Sequence, residues 1–232
     1  MKIAVSGATG RMGKLIIEAV LCSDDLELAA AVTAPGVPEI GTDAGAAIGK
    51  TTGILISADV QDLAKADVLI DFTRPQATLA YLPFCVAHNV GVVIGTTGFD
   101  AQGKETIAEA AKSVPVVFAP NMSVGVNSVL KLLEIAGAML SQYDCEIVEM
   151  HHKHKVDAPS GTALEMGKHV AQGRGVDFDS VAVLSREGHT GERPDGAIGF
   201  AALRGGDVVG DHTVIFAGPG ERIEISHKSG SR

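Results

Sequence analysis

Cysteine is scarce in this 232-residue chain, basic residues are outnumbered, and no apolar run is long. Cys22, Cys85 and Cys145 are odd in number, far apart and without a C-x-x-C spacing. They read as buried thiols of a protein kept in a reducing cytoplasm, rather than as disulfides or zinc ligands. Lysine and arginine total 19 against 28 aspartates and glutamates, a formal charge of −9 with no Lys/Arg run, so a phosphate-backbone binder is not expected. Apolar runs such as Leu28–Val32 and Val90–Ile94 are far too short to span a bilayer. A strand-like segment starts at Lys2, so no signal peptide is expected. What is present is core: 46% hydrophobic against 20% charged residues excludes a disordered chain.

The first half alternates short β-rich runs with helical patterns. Strands are predicted at 2–6, 27–33, 54–57, 68–72, 90–95 and 116–119, with helices at 11–22, 76–88 and 101–113. That alternation predicts a Rossmann-like, doubly wound parallel sheet with right-handed crossovers. The Gly/Pro-rich stretch 35–52 reads as a long loop. The second half predicts a helix over 123–143, a strand over 145–150, a helix near 160–171, and strands at 198–203, 208–217 and 222–227. Strands without helices between them point to an α+β domain with a mixed or antiparallel sheet. A hinge near Pro120–Ser123 divides the chain into a dinucleotide-binding domain, 1–122, and a substrate-binding, catalytic and oligomerisation domain, 123–232.

The first strand runs into Gly7-Ala8-Thr9-Gly10-Arg11-Met12-Gly13 and then a helix. Glycines at such a turn let the backbone approach a pyrophosphate resting on the N–H groups of a helix N-terminus. The second strand ends at Thr33, where an acid commonly holds the ribose of NAD, so the choice between NADH and NADPH stays open. Arg11 is the one cation close by in sequence. Gly95-Thr96-Thr97 and Ala119-Pro120-Asn121-Met122 follow later strands and are candidates to line the nicotinamide and its ribose.

The densest chemistry lies between Glu146 and Ala163. His151, His152 and His154 fall within four residues, flanked by Lys153 and Lys155, and Ser160-Gly161-Thr162 opens a helix. A cationic cluster beside free helix N–H groups suits a carboxylate substrate. A metal held by the three histidines is disfavoured, because neighbouring strand residues point to opposite faces and cations surround them. A solvated polar turn is the bland alternative. Glu146 is a candidate buried acid to orient a histidine.

G-x-x-G-R-M-G, Asp71-Phe-Thr-Arg-Pro75, Val93-Ile-Gly-Thr-Thr-Gly-Phe99, Asn121-Met-Ser-Val-Gly-Val-Asn127 and His151-His-Lys-His-Lys-Val-Asp-Ala-Pro-Ser-Gly-Thr162 occur in this order. Ser185–Gly191 and Gly210-Asp-His-Thr213 follow. The whole set resembles the 4-hydroxy-tetrahydrodipicolinate (dihydrodipicolinate) reductase family of lysine and diaminopimelate biosynthesis. The resemblance implies an NADH- and/or NADPH-dependent reductase, with Gly7–Met12 as the dinucleotide loop and Gly95–Thr97 and Ala119–Met122 beside the nicotinamide. It further implies His151 as proton donor or acceptor, Lys155 as proton donor, and His152, Lys155, Gly161 and Thr162 on the substrate's carboxylates. A metal is not implied, nor a nucleic-acid or membrane partner; a cytoplasmic homotetramer is. Thr33 departs from the family pattern. So does the ending at Ser229-Gly-Ser-Arg232, where a final helix is usual, and a shortened chain is the expectation.

Two other enzyme classes are excluded by residue type. Short-chain-type reductases need Tyr-x-x-x-Lys, but Tyr81 and Tyr143 are followed four residues on by Cys85 and Ile147. A cysteine-nucleophile dehydrogenase needs a base beside its thiol, and Cys145 sits in an apolar strand. An NAD(P)-binding redox sensor without turnover would explain the glycine loop but leave the His151–Thr162 segment without a task.

Overall fold

The computed structural model describes residues 1–230; Ser231 and Arg232 of the Ser229-Gly-Ser-Arg232 ending lie outside the described residues. Two compact units are present, Met1–Pro120 and Asn121–Arg232.

In the first unit, β1 (Lys2–Ser6), β2 (Glu27–Val32), β3 (Ile56–Ser57), β4 (Val68–Asp71), β5 (Gly91–Ile94) and β6 (Val116–Phe118) pair in parallel in the order β3-β2-β1-β4-β5-β6. Side-chain alternation along β1 feeds two cores. Ile3 and Val5 pack with Ile17 and Val20 of α1 (Arg11–Leu21), while Ala4 joins Leu82 and Cys85 of α2 (Pro75–Ala87) and Ile107 of α3 (Ala101–Ala110). Pro75 opens α2, where a missing N–H is harmless. Asp100 caps α3 by accepting the Gly103 N–H at 2.7 Å. Strand order reverses between β1 and β4, so their carboxyl ends lie side by side with Ser6 opposite Asp71. That is the switch point where open α/β sheets bind ligands.

In the second unit, α4 (Val124–Met139) and α5 (Gly161–Arg174) pack on a five-stranded mixed sheet. Its strands are β7 (Asp144–His151), β8 (Ala182–Val183), β9 (Ile198–Arg204), β10 (Gly210–Gly218) and β11 (Glu221–Ser229), in the order β11-β10-β7-β9-β8. β7 runs parallel to β9 and antiparallel to β10. Leu133, Cys145, Ile147, Met166, Ile198, Phe200, Val214 and Phe216 form the core. No helix among the described residues is long and apolar enough to cross a membrane.

Four readings need correction or refinement. Cys22 is exposed, just past the last turn of α1, whereas Cys85 and Cys145 are buried and burial pushes their thiols up to about 11 and about 12. The helix expected to reach Tyr143 stops at Met139, and Tyr143 lies in a turn with its hydroxyl on Glu221. The 35–52 stretch is a loop as expected, but it carries a short 3₁₀ helix at Ala46–Ile48 and is pinned by one carboxylate. Asp43 accepts the N–H groups of Gly45, Thr52 and Gly53 at 2.7–3.1 Å, and these bonds hold its carboxyl near 2. Finally, short elements at α6 (Phe178–Val181), at β8 and in a 3₁₀ helix (Val60–Lys65) gave too little periodicity to be read.

Candidate active site

The switch point of the first unit is built around an empty-handed helix start. Gly10 caps α1 without a side-chain bond, leaving the first-turn N–H groups free of any side-chain acceptor. Gly7 takes φ +62°, and a Cβ on Gly13 would stand 2.1 Å from the Gly7 carbonyl oxygen, so only glycine lets helix and turn approach this closely. Ala8 is buried, donating its N–H to Val32 O at 3.0 Å, while Arg11 is exposed and Met12 half-buried. This cradle fits a dinucleotide's pyrophosphate. Thr33 is buried and its hydroxyl lies 3.0 Å from that of Thr9.

Behind the cradle sits a fully buried carboxylate that sequence reasoning missed. Asp71 Oδ1 accepts the Ser6 and Thr73 hydroxyls at 2.5 and 2.7 Å, and Oδ2 accepts those of Thr96, at 3.0 Å, and Thr78. Thr96 Oγ1 in turn accepts the Thr73 N–H at 2.8 Å, and Gly95 N–H reaches Asp71 O at 2.9 Å. Of the residues expected beside the nicotinamide, Thr96 therefore spends its side chain inside the fold, and Thr97 is the exposed one. Ala119 is half-buried and Pro120 exposed. An acid closing an apolar strand just before two hydroxyl-rich turns was the available signal.

In the second unit, β7 is buried at every other residue: Cys145, Ile147, Glu149 and His151. Glu146 therefore faces the other side, where Arg186 and Arg193 hold its carboxylate at 2.8 and 3.0 Å. The acid beside the histidine is Glu149, two residues before it, and strand parity counted from Cys145 would have found it. Register supplies the rest: His212 on β10 lies opposite Glu149, and Arg204 on β9 opposite His151. Glu149 Oε2 is 2.5 Å from His151 Nδ1, and Oε1 accepts the Ser160 N–H at 3.1 Å and faces Arg204 at 3.3 Å. Ser160 Oγ accepts the Ala163 N–H, capping α5, and contacts His212 Nε2 at 3.1 Å. The 2.5 Å contact is shorter than the ~3.3 Å between two tetrahedral ligands each ~2.0–2.1 Å from a metal.

Burial lowers the His151 pKa below 6.5, with Lys155 and Arg204 adding to the shift and Glu149 opposing it. Burial and the His151 ring hold His212 at about 4, against a smaller opposing pull from Glu149. Lys155 Nζ is gripped by Asp157 at 2.8 and 2.9 Å. His152 is half-buried, its ring 6.3 Å from the exposed His154, while Gly161 is exposed and Thr162 half-buried at the start of α5. Asn121 Nδ2 lies 3.5 Å from Thr162 Oγ1, which brings together one residue expected on the cofactor and one expected on the substrate; Met122 is exposed.

Family models of the dihydrodipicolinate reductase N-terminus and C-terminus match residues 1–122 and 125–232. A 4-hydroxy-tetrahydrodipicolinate reductase of Cupriavidus metallidurans is 61% identical, over the whole of this chain and 88% of its own. One of Polynucleobacter necessarius subsp. necessarius is 59% identical with the same coverage. Among solved structures, a dipicolinate-bound dihydrodipicolinate reductase from Paenisporosarcina sp. TG-14 superposes with a TM-score of 0.75 at 25% identity, covering 99% of this chain and 88% of its own.

Proposed function

The chain belongs to the dihydrodipicolinate reductase family, and we propose that His151 and Lys155 carry the proton chemistry of that family's reaction. It is an NAD(P)H-dependent reductase that converts 4-hydroxy-tetrahydrodipicolinate to tetrahydrodipicolinate. The conversion replaces a hydroxyl by hydrogen, so one hydride and one proton enter and one water leaves. When bound, the reduced nicotinamide supplies the hydride.

The protein's own residues then have three tasks. In the first unit, the Gly7–Met12 turn and the free N–H groups of α1 hold the pyrophosphate, with Thr33 toward the ribose and Gly95–Thr97 and Ala119–Pro120 on the nicotinamide side, a role shared by Asn121 and Met122, which open the second unit. In the second, His152, Lys155 and the N–H groups of Gly161 and Thr162 take the substrate's two carboxylates; the dipicolinate in the Paenisporosarcina enzyme's structure supports a ligand of that shape. The third task is protonation. The Lys155 ammonium is a full donor, and two substrate carboxylates arriving beside His151 favour its protonated form. The observation that carries this reading is one helix start and one strand end bringing Ser160, His151 and Glu149 into a single buried cluster, with Ser160 N–H on Glu149 and the Glu149 carboxylate 2.5 Å from the His151 ring.

The direct test is oxidation of NADH and NADPH with freshly prepared substrate, followed for wild type, His151→Gln and Lys155→Ala. Wild-type turnover in both variants at saturating substrate would remove the assignment. We further propose assembly as a homotetramer, supported by the exposed apolar stripe Leu132, Ile135 and Met139 on α4. Sedimentation at four times 23.8 kDa is the expected result.

A further inference from the structure

We propose that Glu149 is the positioning residue of the reductase: its carboxylate fixes the His151 ring with Nδ1–H toward Oε2, so that Nε2 is the atom that exchanges the proton. The proposal rests on the assignment of His151 above. Glu149 is itself 1% exposed and cannot serve as a surface acid.

Its two oxygens are held to different tasks. Oε1 is occupied by the Ser160 N–H and by the Arg204 guanidinium at 3.3 and 3.4 Å. Oε2 and His151 Nδ1 are both buried and neither makes an aligned hydrogen bond among the described residues, yet the two stand 2.5 Å apart. Buried polar atoms require a partner, and each is the one within closest reach of the other. Ring rotation is restricted as well. His212 packs edge-on to His151, centroids 5.1 Å apart at 77°, and is itself tied to Ser160. Gly210 leaves room at the other edge, since a Cβ there would come 3.1 Å from His151 Nε2.

The proton step balances without further partners. Protonated His151 releases its Nε2 proton, the electron pair of that bond stays on Nε2, and the ring becomes neutral with its remaining proton on Nδ1. This is the arrangement by which a buried carboxylate sets the tautomer of a working histidine. The charged groups facing His151 are Glu149 on β7, Lys155 in the following loop and Arg204 on β9, with His212 on β10 neutral near pH 7.

Glu149→Gln makes a sharp test because the site dictates how the amide must sit. The Ser160 N–H and Arg204 demand an acceptor at the Oε1 position, which puts the amide NH₂ opposite Nδ1. Nδ1 must then accept, and the ring is driven to the Nε2–H tautomer. Ring ¹⁵N NMR of His151 is expected to show Nδ1–H in neutral wild type, Nε2–H in Glu149→Gln, and Nδ1–H again in Glu149→Asp. In turnover, Glu149→Gln should lose about 10²-fold in kcat, the scale for a misdirected proton-transfer group. The inflection belonging to His151 should move to lower pH, because the carboxylate that favours the imidazolium is gone. Glu149→Asp should recover part of kcat and of the inflection. Binding of pyridine-2,6-dicarboxylate should change little in either variant, which separates positioning from collapse of the site.

An Nε2–H tautomer in wild type, an unchanged tautomer in Glu149→Gln, or wild-type kcat and inflection in that variant would each overturn the proposal. If Glu149→Gln does not fold, the wild-type and Glu149→Asp spectra still decide it. Absence of reductase turnover in wild type would instead overturn the functional reading, and the tautomer measurement would stand apart from it.

Discussion

The Thr9 and Thr33 hydroxyls meet at 3.0 Å, closing the place where a Rossmann fold ordinarily offers an acid to the adenosine ribose. A hydroxyl pair carries no charge, so it neither repels a 2′-phosphate nor grips the ribose diol as a carboxylate does. NADH and NADPH are therefore expected to have kcat/KM values within about tenfold, roughly 1.4 kcal/mol. Thr33→Glu should tilt the ratio toward NADH. Steady-state rates with both cofactors check this, and a wild-type preference above about a hundredfold would show that a residue elsewhere sets the choice.

Lys155 is held between two tasks. Asp157 keeps its ammonium within 2.8 Å, and that bond is the main cause of the lowered Asp157 pKa. Removing the ammonium in Lys155→Ala should reduce kcat by about 10²-fold or more and weaken pyridine-2,6-dicarboxylate as a competitive inhibitor. Rates at saturating substrate and inhibition constants measure the two effects separately.

Asp71 offers a stability test within the first unit. Asp71→Ala would strand the hydroxyls of Thr73 and Thr96 and leave those of Ser6 and Thr78 only longer bonds to Ile70 O and Arg74 O, at 3.4 and 3.3 Å. Unpaired buried polar groups cost about 1–3 kcal/mol each, so a loss of at least ~3 kcal/mol is expected, with Asp71→Asn milder. Urea unfolding of the full chain would register it. An Asp71→Ala variant as stable as wild type would mean that the hydroxyls find other partners.

Local pattern made much of this legible. The β1 strand was read at its observed bounds, because Ile3, Ala4 and Val5 are apolar on both faces and a glycine turn follows at once. The His151–Thr162 segment was read as a functional site for the same reason: its cations and its helix start lie within one short run. What escaped was whatever depends on register. Arg204 reaches Glu149 across 55 residues, and Ser160 reaches His212 across 52, through strand pairings that no local spacing announces. Glu146 is only a candidate orienting acid by sequence proximity, and its parity on β7 puts it on the face opposite His151. One residue's shift in a strand exchanges the buried face for the open one. Cys22 was misplaced for a related reason, since it lies past the last turn of α1, where helical periodicity no longer decides which side faces the core.

His212 links the site to acid stability. Its side chain is buried on β10, and burial followed by the neighbouring His151 ring lowers its pKa from the ordinary 6.5 to about 4. In the unfolded chain the same imidazole takes up a proton near pH 6.5. Between pH 6.5 and 4 the unfolded state therefore binds more protons than the folded one, and stability falls as pH falls. At ~1.4 kcal/mol per pH unit, the full loss is roughly 3 kcal/mol, complete near pH 4 and absent above pH 7. His151, also lowered, adds a loss of the same sign. His212→Gln keeps a polar partner for Ser160 but cannot titrate, so its stability should fall less steeply over this window, with the His151 share remaining. Urea unfolding of wild type and His212→Gln at pH 7 and pH 4.5 measures the difference. Parallel losses in the two proteins would show that His212 is already neutral in the unfolded chain or becomes protonated in the folded one without cost.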